Sequence, residues 1–116
     1  AINQKCNFPF EIVIGEDCSS DKTLKYVTLS ENNPNNIRVI ANKTNKGLLN
    51  NYFDTLLLCQ GKYIADCAGD DFWTDEYKLH RQGEILENNP NASLTYTDYS
   101  HYLQVQILSF IIDRHF

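Results

Sequence analysis

The chain reads as an α/β protein with a mainly parallel sheet flanked by helices, and three observations lead there. Short β-branched runs alternate with longer segments whose apolar residues recur at helical spacing. Helical segments of about ten residues or more between strands are the length that a crossover between parallel strands requires. The loops that follow the strand-like runs are the most polar parts of the chain, as expected where such a sheet presents its ligand-binding rim.

Phe10 to Gly15 reads FEIVIG, a β-branched run closed by glycine, and predicts a buried strand. After the polar turn Asp17 to Ser20, Asp21 stands where a helix N-cap should. Leu24, Val27 and Leu29 supply the apolar stripe of a helix that ends before Asn32-Asn33-Pro34. Ile37 to Ala41 (IRVIA) predicts a second strand, Asn42 to Lys46 a loop, and Gly47 the start of a second helix. In that helix Leu48, Leu49, Tyr52, Phe53, Leu56 and Leu57 are expected to bury one face before Gly61 ends the segment. Tyr63 to Cys67 is a third strand, Gly69 to Asp75 an acidic loop, and Glu76 to Asn88 a third helix stopped by Asn89-Pro90. Ala92 to Thr97 resembles a fourth strand. The tail His101 to Phe116 is apolar and aromatic, with Leu103, Val105 and Ile107 alternating at its start. An edge strand, a helix or sequence outside the domain are all compatible with it.

A length of 116 residues suits one core, and 42% hydrophobic against 22% charged residues marks a globular chain rather than a disordered one. Ten Lys and Arg against fifteen Asp and Glu give a net charge of −5, which disfavours nucleic acid as a partner. A small anionic ligand stays compatible, because a helix N-terminus or a cation can offset its charge locally. Cys6, Cys18, Cys59 and Cys67 are too far apart for a CxxC pair, so free thiols are expected. With no apolar leader, and no apolar stretch near the ~20 residues that span a bilayer, a cytoplasmic location is expected. For a longer parent this extends to the cytoplasmic face of a membrane.

Three loops carry the candidate chemistry. Gly69-Asp70-Asp71-Phe72-Trp73-Thr74-Asp75 places adjacent carboxylates at a strand end, where they can hold a divalent cation that neutralises phosphate. A solvated acidic turn, with Asp75 capping the next helix and Trp73 packing, reads the same residues structurally. Gly15 to Asp21 carries Asp17, which can accept hydrogen bonds from a base or a ribose, although capping by Asp21 explains part of its polarity. Asn42 to Gly47 brings Lys43 and Lys46 to a helix N-terminus, where phosphate could bind, but without P-loop spacing.

In order and interval, EDCSSDKT, NKGLLNNY and GKYIADCAGDDFWTDEYKL resemble the "DDGSTDGT", "N.G...N" and "G.YI..LDSDD.W" segments of family 2 glycosyltransferases of the GT-A fold. The resemblance covers roughly residues 6–98. It implies a nucleotide-sugar-binding part of such a domain over residues 1–98 and leaves 99–116 an unassigned apolar tail.

By the resemblance, Asp17 matches the aspartate that contacts the base, and Asn45 and Gly47 the polar turn near the nucleotide. Asp70 matches the last aspartate of DxD, which binds Mn2+ or Mg2+ bridging the diphosphate, and Asp71 supports that loop. Lys46 is placed to face phosphate. Ala68 stands where the first acid of DxD is usual. The resemblance further implies transfer from a nucleotide-diphosphate sugar to a glycan or lipid-linked acceptor hydroxyl, with inversion. The general base is expected beyond this chain, and the family's first strand ahead of Ala1. That strand would lie between Phe10 to Gly15 and Tyr63 to Cys67. Without it, the chain alone is expected to be inactive and to self-associate, unless the apolar tail fills the gap. Two other readings stay open, a non-catalytic nucleotide- or partner-binding α/β domain and an inactive relic.

Overall fold

The computed structural model describes residues 3–30, 37–69, 71–100 and 109–114. In order, its elements are β1 (Phe10–Glu16), α1 (Thr23–Ser30), β2 (Ile37–Ala41), α2 (Leu48–Leu56), β3 (Tyr63–Cys67), α3 (Lys78–Asn88) and β4 (Ser109–Arg114). The strands form one sheet in the order β2-β1-β4-β3. β1 and β2 pair in parallel, from Ile12 opposite Ile37 to Glu16 opposite Ala41. β4 is antiparallel to both of its neighbours, so β3 regains the direction of β1. The three strands that alternate with helices therefore run parallel, as their crossovers demand.

β4 occupies the place between β1 and β3 that the resemblance reserves for a preceding strand. It belongs to the tail, and it sits in the middle of the sheet rather than at an edge. β1 shows why the place must be filled, since Glu11 through Glu16 are all buried. A buried strand with one partner would leave a row of N–H and C=O groups unmatched.

Two expectations fail. Residues 92–97 are irregular instead of forming a fourth strand, with Leu94 and Tyr96 77% and 87% exposed. An alternating pattern makes a strand only where a neighbouring backbone takes its hydrogen bonds, and the apolar side chains here face solvent. The second concerns α2, whose buried residues are Asn51 and Thr55, while Leu48, Leu49, Phe53 and Leu57 are exposed. The cause lies in β1: Gly15 brings no side chain to meet the helix, so small polar groups pack there and satisfy backbone in place of a greasy face.

The apolar core lies on the other face of the sheet. Ile12, Ile14, Val27, Ile37 and Leu79 form it, with Phe8, Phe10, Val39, Ala65 and Trp73 packed around them. Helices α1 and α3 thus share one layer through Val27 and Leu79, and α2 covers the opposite layer. At the end of the sheet remote from the strand C-termini, Glu11 Oε1 takes Arg38 Nη2 at 3.4 Å and Gln60 N at 3.3 Å. This anchors the link from α2 to β3.

The helix starts use local and remote caps. Asp21 Oδ1 accepts from Thr23 N at 2.8 Å, as its position predicts. At α3, Asp75 Oδ1 accepts from Tyr77 N at 2.9 Å, and Gln4 Oε1 reaches across the chain to Leu79 N at 3.0 Å. No helix among the described residues is long and apolar enough to cross a membrane.

Candidate functional site

Because β1, β2 and β3 point the same way, the loops 17–20, 42–47 and 68–75 emerge at one rim. Ile14, Phe110 and Cys67 lie opposite one another across the sheet, so β3 ends two residues short of β1 at the same rim. Two strand spacings, about 10 Å, separate their ends. That distance suits a ligand of nucleotide size laid across the rim.

Asp17 organises the first two loops. Its Oδ1 accepts from Lys46 N at 2.8 Å and from Asn42 Nδ2 at 3.0 Å, and its Oδ2 accepts from Gly47 N at 2.9 Å. Desolvation pushes the carboxyl up, but the bonds from Lys46, Asn42 and Gly47 together outweigh it and hold Asp17 below the usual carboxylate range. A carboxylate can accept about four such bonds. One acceptor position on Oδ2 is left for a ligand donor.

Asn45 and Gly47 complete this turn. Asn45 Nδ2 donates to Asp17 O at 3.1 Å, and Asn45 Oδ1 accepts from Gly47 N at 3.0 Å. Gly47 has φ 82 and ψ 157, a region open almost only to glycine. A Cβ there would touch nothing within 4 Å, so the requirement for glycine is conformational, not steric. Lys46 Nζ pairs with Asp54 Oδ2 at 2.6 Å.

Glu16 lies just below. It is 2% exposed, its Oε1 accepts from Ser19 N, and its Oε2 is buried with no hydrogen-bond partner. Cys18 has φ 60, the left-handed conformation for which glycine is suited and which the quoted "DDGSTDGT" pattern fills with Gly.

The acidic loop is built differently. Asp71 N donates to Ala68 O at 3.0 Å, closing a turn that leaves the Asp71 side chain exposed. Asp70 lies outside the described residues. Trp73 packs on the core, with Lys78 Nζ 4.9 Å above its ring. Burial holds the Lys78 ammonium below its ordinary value. Asp75 is occupied by α3, through Tyr77 N and through Arg81 Nη1 at 3.3 Å. Burial pushes the Cys67 thiol up, away from nucleophilic character, and no disulfide forms among the described residues.

Among the described residues no three His, Cys, Asp or Glu side chains gather to hold a metal ion. A resident cage of protein ligands is therefore not what these residues form. The exposed carboxylate of Asp71 at the turn fits the other mode, in which Mg2+ or Mn2+ keeps its waters and binds through one or two carboxylates together with substrate phosphates.

Sequence reasoning passed over Gln4, and it met Asn51 only as the last position of the "N.G...N" match, with no role attached. Asn51 sits in a helix whose apolar neighbours dominate the pattern, and nothing local to Gln4 signals a contact with α3. Besides that motif position, Gly15 was a signal for Asn51, since a glycine inside a strand often marks close approach of another element.

Residues 1–105 match the sequence profile of Glycosyl transferase family 2. Uncharacterized proteins of Mycobacterium bovis and of two strains of Mycobacterium tuberculosis are each 35% identical to the chain over 94 residues. The match covers 80% of this chain and 27% of each relative, so the chain spans little more than a quarter of their length. No solved structure shows significant similarity to it.

Proposed function

Because the chain belongs to glycosyltransferase family 2, we propose that its rim binds a nucleotide-diphosphate sugar as the donor part of a transferase acting in glycan synthesis. The observation that carries this reading is that the Asp17 loop and the acidic loop both follow the C-terminal ends of strands that run the same way, at one rim of the sheet. Asp17 offers its remaining acceptor position to a base N–H. Asn45 and Gly47 shape the wall beside it, and Asp70 and Asp71, adjacent in sequence, would meet the diphosphate.

In the parent protein, an acceptor hydroxyl of a glycan or lipid-linked substrate forms a bond to the anomeric carbon as the bond to the diphosphate oxygen breaks. Its proton passes to a base supplied from outside this chain, and the configuration inverts. Asp70, with Asp71 next in sequence, would hold a divalent cation, which would supply charge stabilisation to the leaving diphosphate. Ala68 removes one carboxylate that could strengthen that site. It favours, as a second reading, a non-catalytic nucleotide- or partner-binding domain.

Calorimetric titration with UDP and GDP, with and without Mn2+, tests the proposal. A nucleoside diphosphate should bind, and more tightly when Mn2+ is present. Binding that ignores Mn2+ supports the non-catalytic reading, and absence of binding in every condition refutes the donor site.

A further inference from the structure

We infer that Asn42 and Asn51 are positioning residues of the donor site, orienting the Asp17 carboxylate through a side-chain relay that begins inside the β1–α2 contact. The inference rests on the reading of Asp17 as the group that meets the base.

The relay has one self-consistent direction. Asp17 Oδ1 can only accept, so Asn42 must turn its amide nitrogen toward it, at 3.0 Å. The same nitrogen donates to Asn51 Oδ1 at 2.9 Å, which engages both of its hydrogens. Asn51 is then left with its own nitrogen facing the strand, where Gly15 O accepts at 3.1 Å. Asn51 is 6% exposed, and its carbonyl accepts from Thr55 Oγ1 at 2.6 Å. Asn42 is fixed at its backbone as well, by donation of its N–H to Glu16 O at 2.9 Å.

This geometry couples a rigid contact to a mobile kind of group. A carboxylate at a loop start turns freely about its last bond, and a ligand that needs one of its lone pairs must freeze it. Here Asn42 holds Oδ1 while the amides of Lys46 and Gly47 complete the fit. The charged groups around Asp17 are the Lys46 ammonium, itself paired with Asp54, and the adjacent Glu16. None of them could replace Asn42, because none links Asp17 to the buried helix face.

The test uses the whole chain carrying Asn42→Ala, with two readouts: the NMR titration of the Asp17 side-chain carboxyl, and UDP and GDP affinity by calorimetry. The Asp17 midpoint should rise toward the ordinary carboxylate value, and nucleotide affinity should fall about tenfold, as for other groups that orient a ligand-binding side chain. Asn42→Ser, too short to reach Asp17 and Asn51 together, should give the same rise, and it serves if the alanine variant does not fold. An unchanged Asp17 midpoint in a folded variant overturns the inference, whatever happens to thermal stability. If the unsubstituted chain binds no nucleotide, the donor-site reading falls, while the Asp17 titration still decides whether the relay orients the carboxylate.

Discussion

Replacing Gly15 with alanine puts a methyl group where the fold leaves no room. An ideal Cβ there lies 2.0 Å from Thr55 Oγ1 and 3.1 Å from both Asn51 Oδ1 and Thr55 Cβ. The nearest contact is far inside van der Waals range, so α2 and β1 must move apart. Overpacking of this kind costs about 1–3 kcal/mol. The movement also draws Asn51 Nδ2 from Gly15 O, and a buried amide left unmatched adds about 1–3 kcal/mol. Urea unfolding should therefore show a loss of about 2–6 kcal/mol for Gly15→Ala. Thr55→Ala removes the oxygen at 2.0 Å and leaves only the 3.1 Å contacts, so the double variant should recover at least ~1 kcal/mol relative to additivity. A loss below ~0.5 kcal/mol for Gly15→Ala, or strictly additive losses, would refute the claim that Gly15 exists to admit α2.

Asp17 is held below its unfolded pKa, so the stability it contributes is complete above the ordinary carboxylate value of about 3.9 and is lost as pH falls through its depressed folded value. Urea midpoints measured between pH 5 and pH 2 should fall less steeply for Asp17→Asn than for the unsubstituted chain, and equal slopes would contradict the assignment. In a full-length transferase carrying this domain, Asp70→Asn should lower sugar transfer by about 100-fold or more, since it removes a carboxylate from the diphosphate and cation. Asp75→Asn, at a helix start, should change transfer little, and equal mild effects at both positions would make the acidic loop structural. Ile111→Pro removes a backbone donor from the strand that separates β1 and β3. Hydrogen exchange should then show the Tyr63 to Cys67 amides losing protection, and unaltered protection would mean that β3 does not depend on β4.

Much of the fold was legible because local patterns coincide with tertiary demands. IRVIA and YIADC are strands at the expected residues, Asp21 bonds the first amide of α1, and Asp75 bonds the Tyr77 amide just ahead of α3. What could not be read was decided by partners distant in sequence. The run 92–97 resembles a strand, yet a strand needs a neighbour, and no one segment encodes its neighbour. The apolar residues of α2 predict its buried face, but the gap over Gly15 selects Asn51 and Thr55. At the site, the motif order located the three loops, and the strand directions placed them on one rim. The bonds that fix Asp17 come from Asn42 and from backbone amides at Lys46 and Gly47, which carry no signature in a single sequence.

The central position of β4 has a kinetic consequence. Its register sets Phe10 against Arg114, so almost the whole described chain must loop back before that pairing can form. The entropy of closing so long a loop grows only slowly with length, about 0.6 kcal/mol per doubling, and the effect falls mainly on the rate. β1, α1, β2 and α2 can assemble from neighbouring segments, and β3 with α3 can do likewise, before β4 joins them. Folding should thus proceed through two short-range units that meet late. The spacing between the Asp17 loop and the acidic loop is created in that final step, so refolding followed by stopped flow should recover helix signal before any affinity for a nucleotide returns.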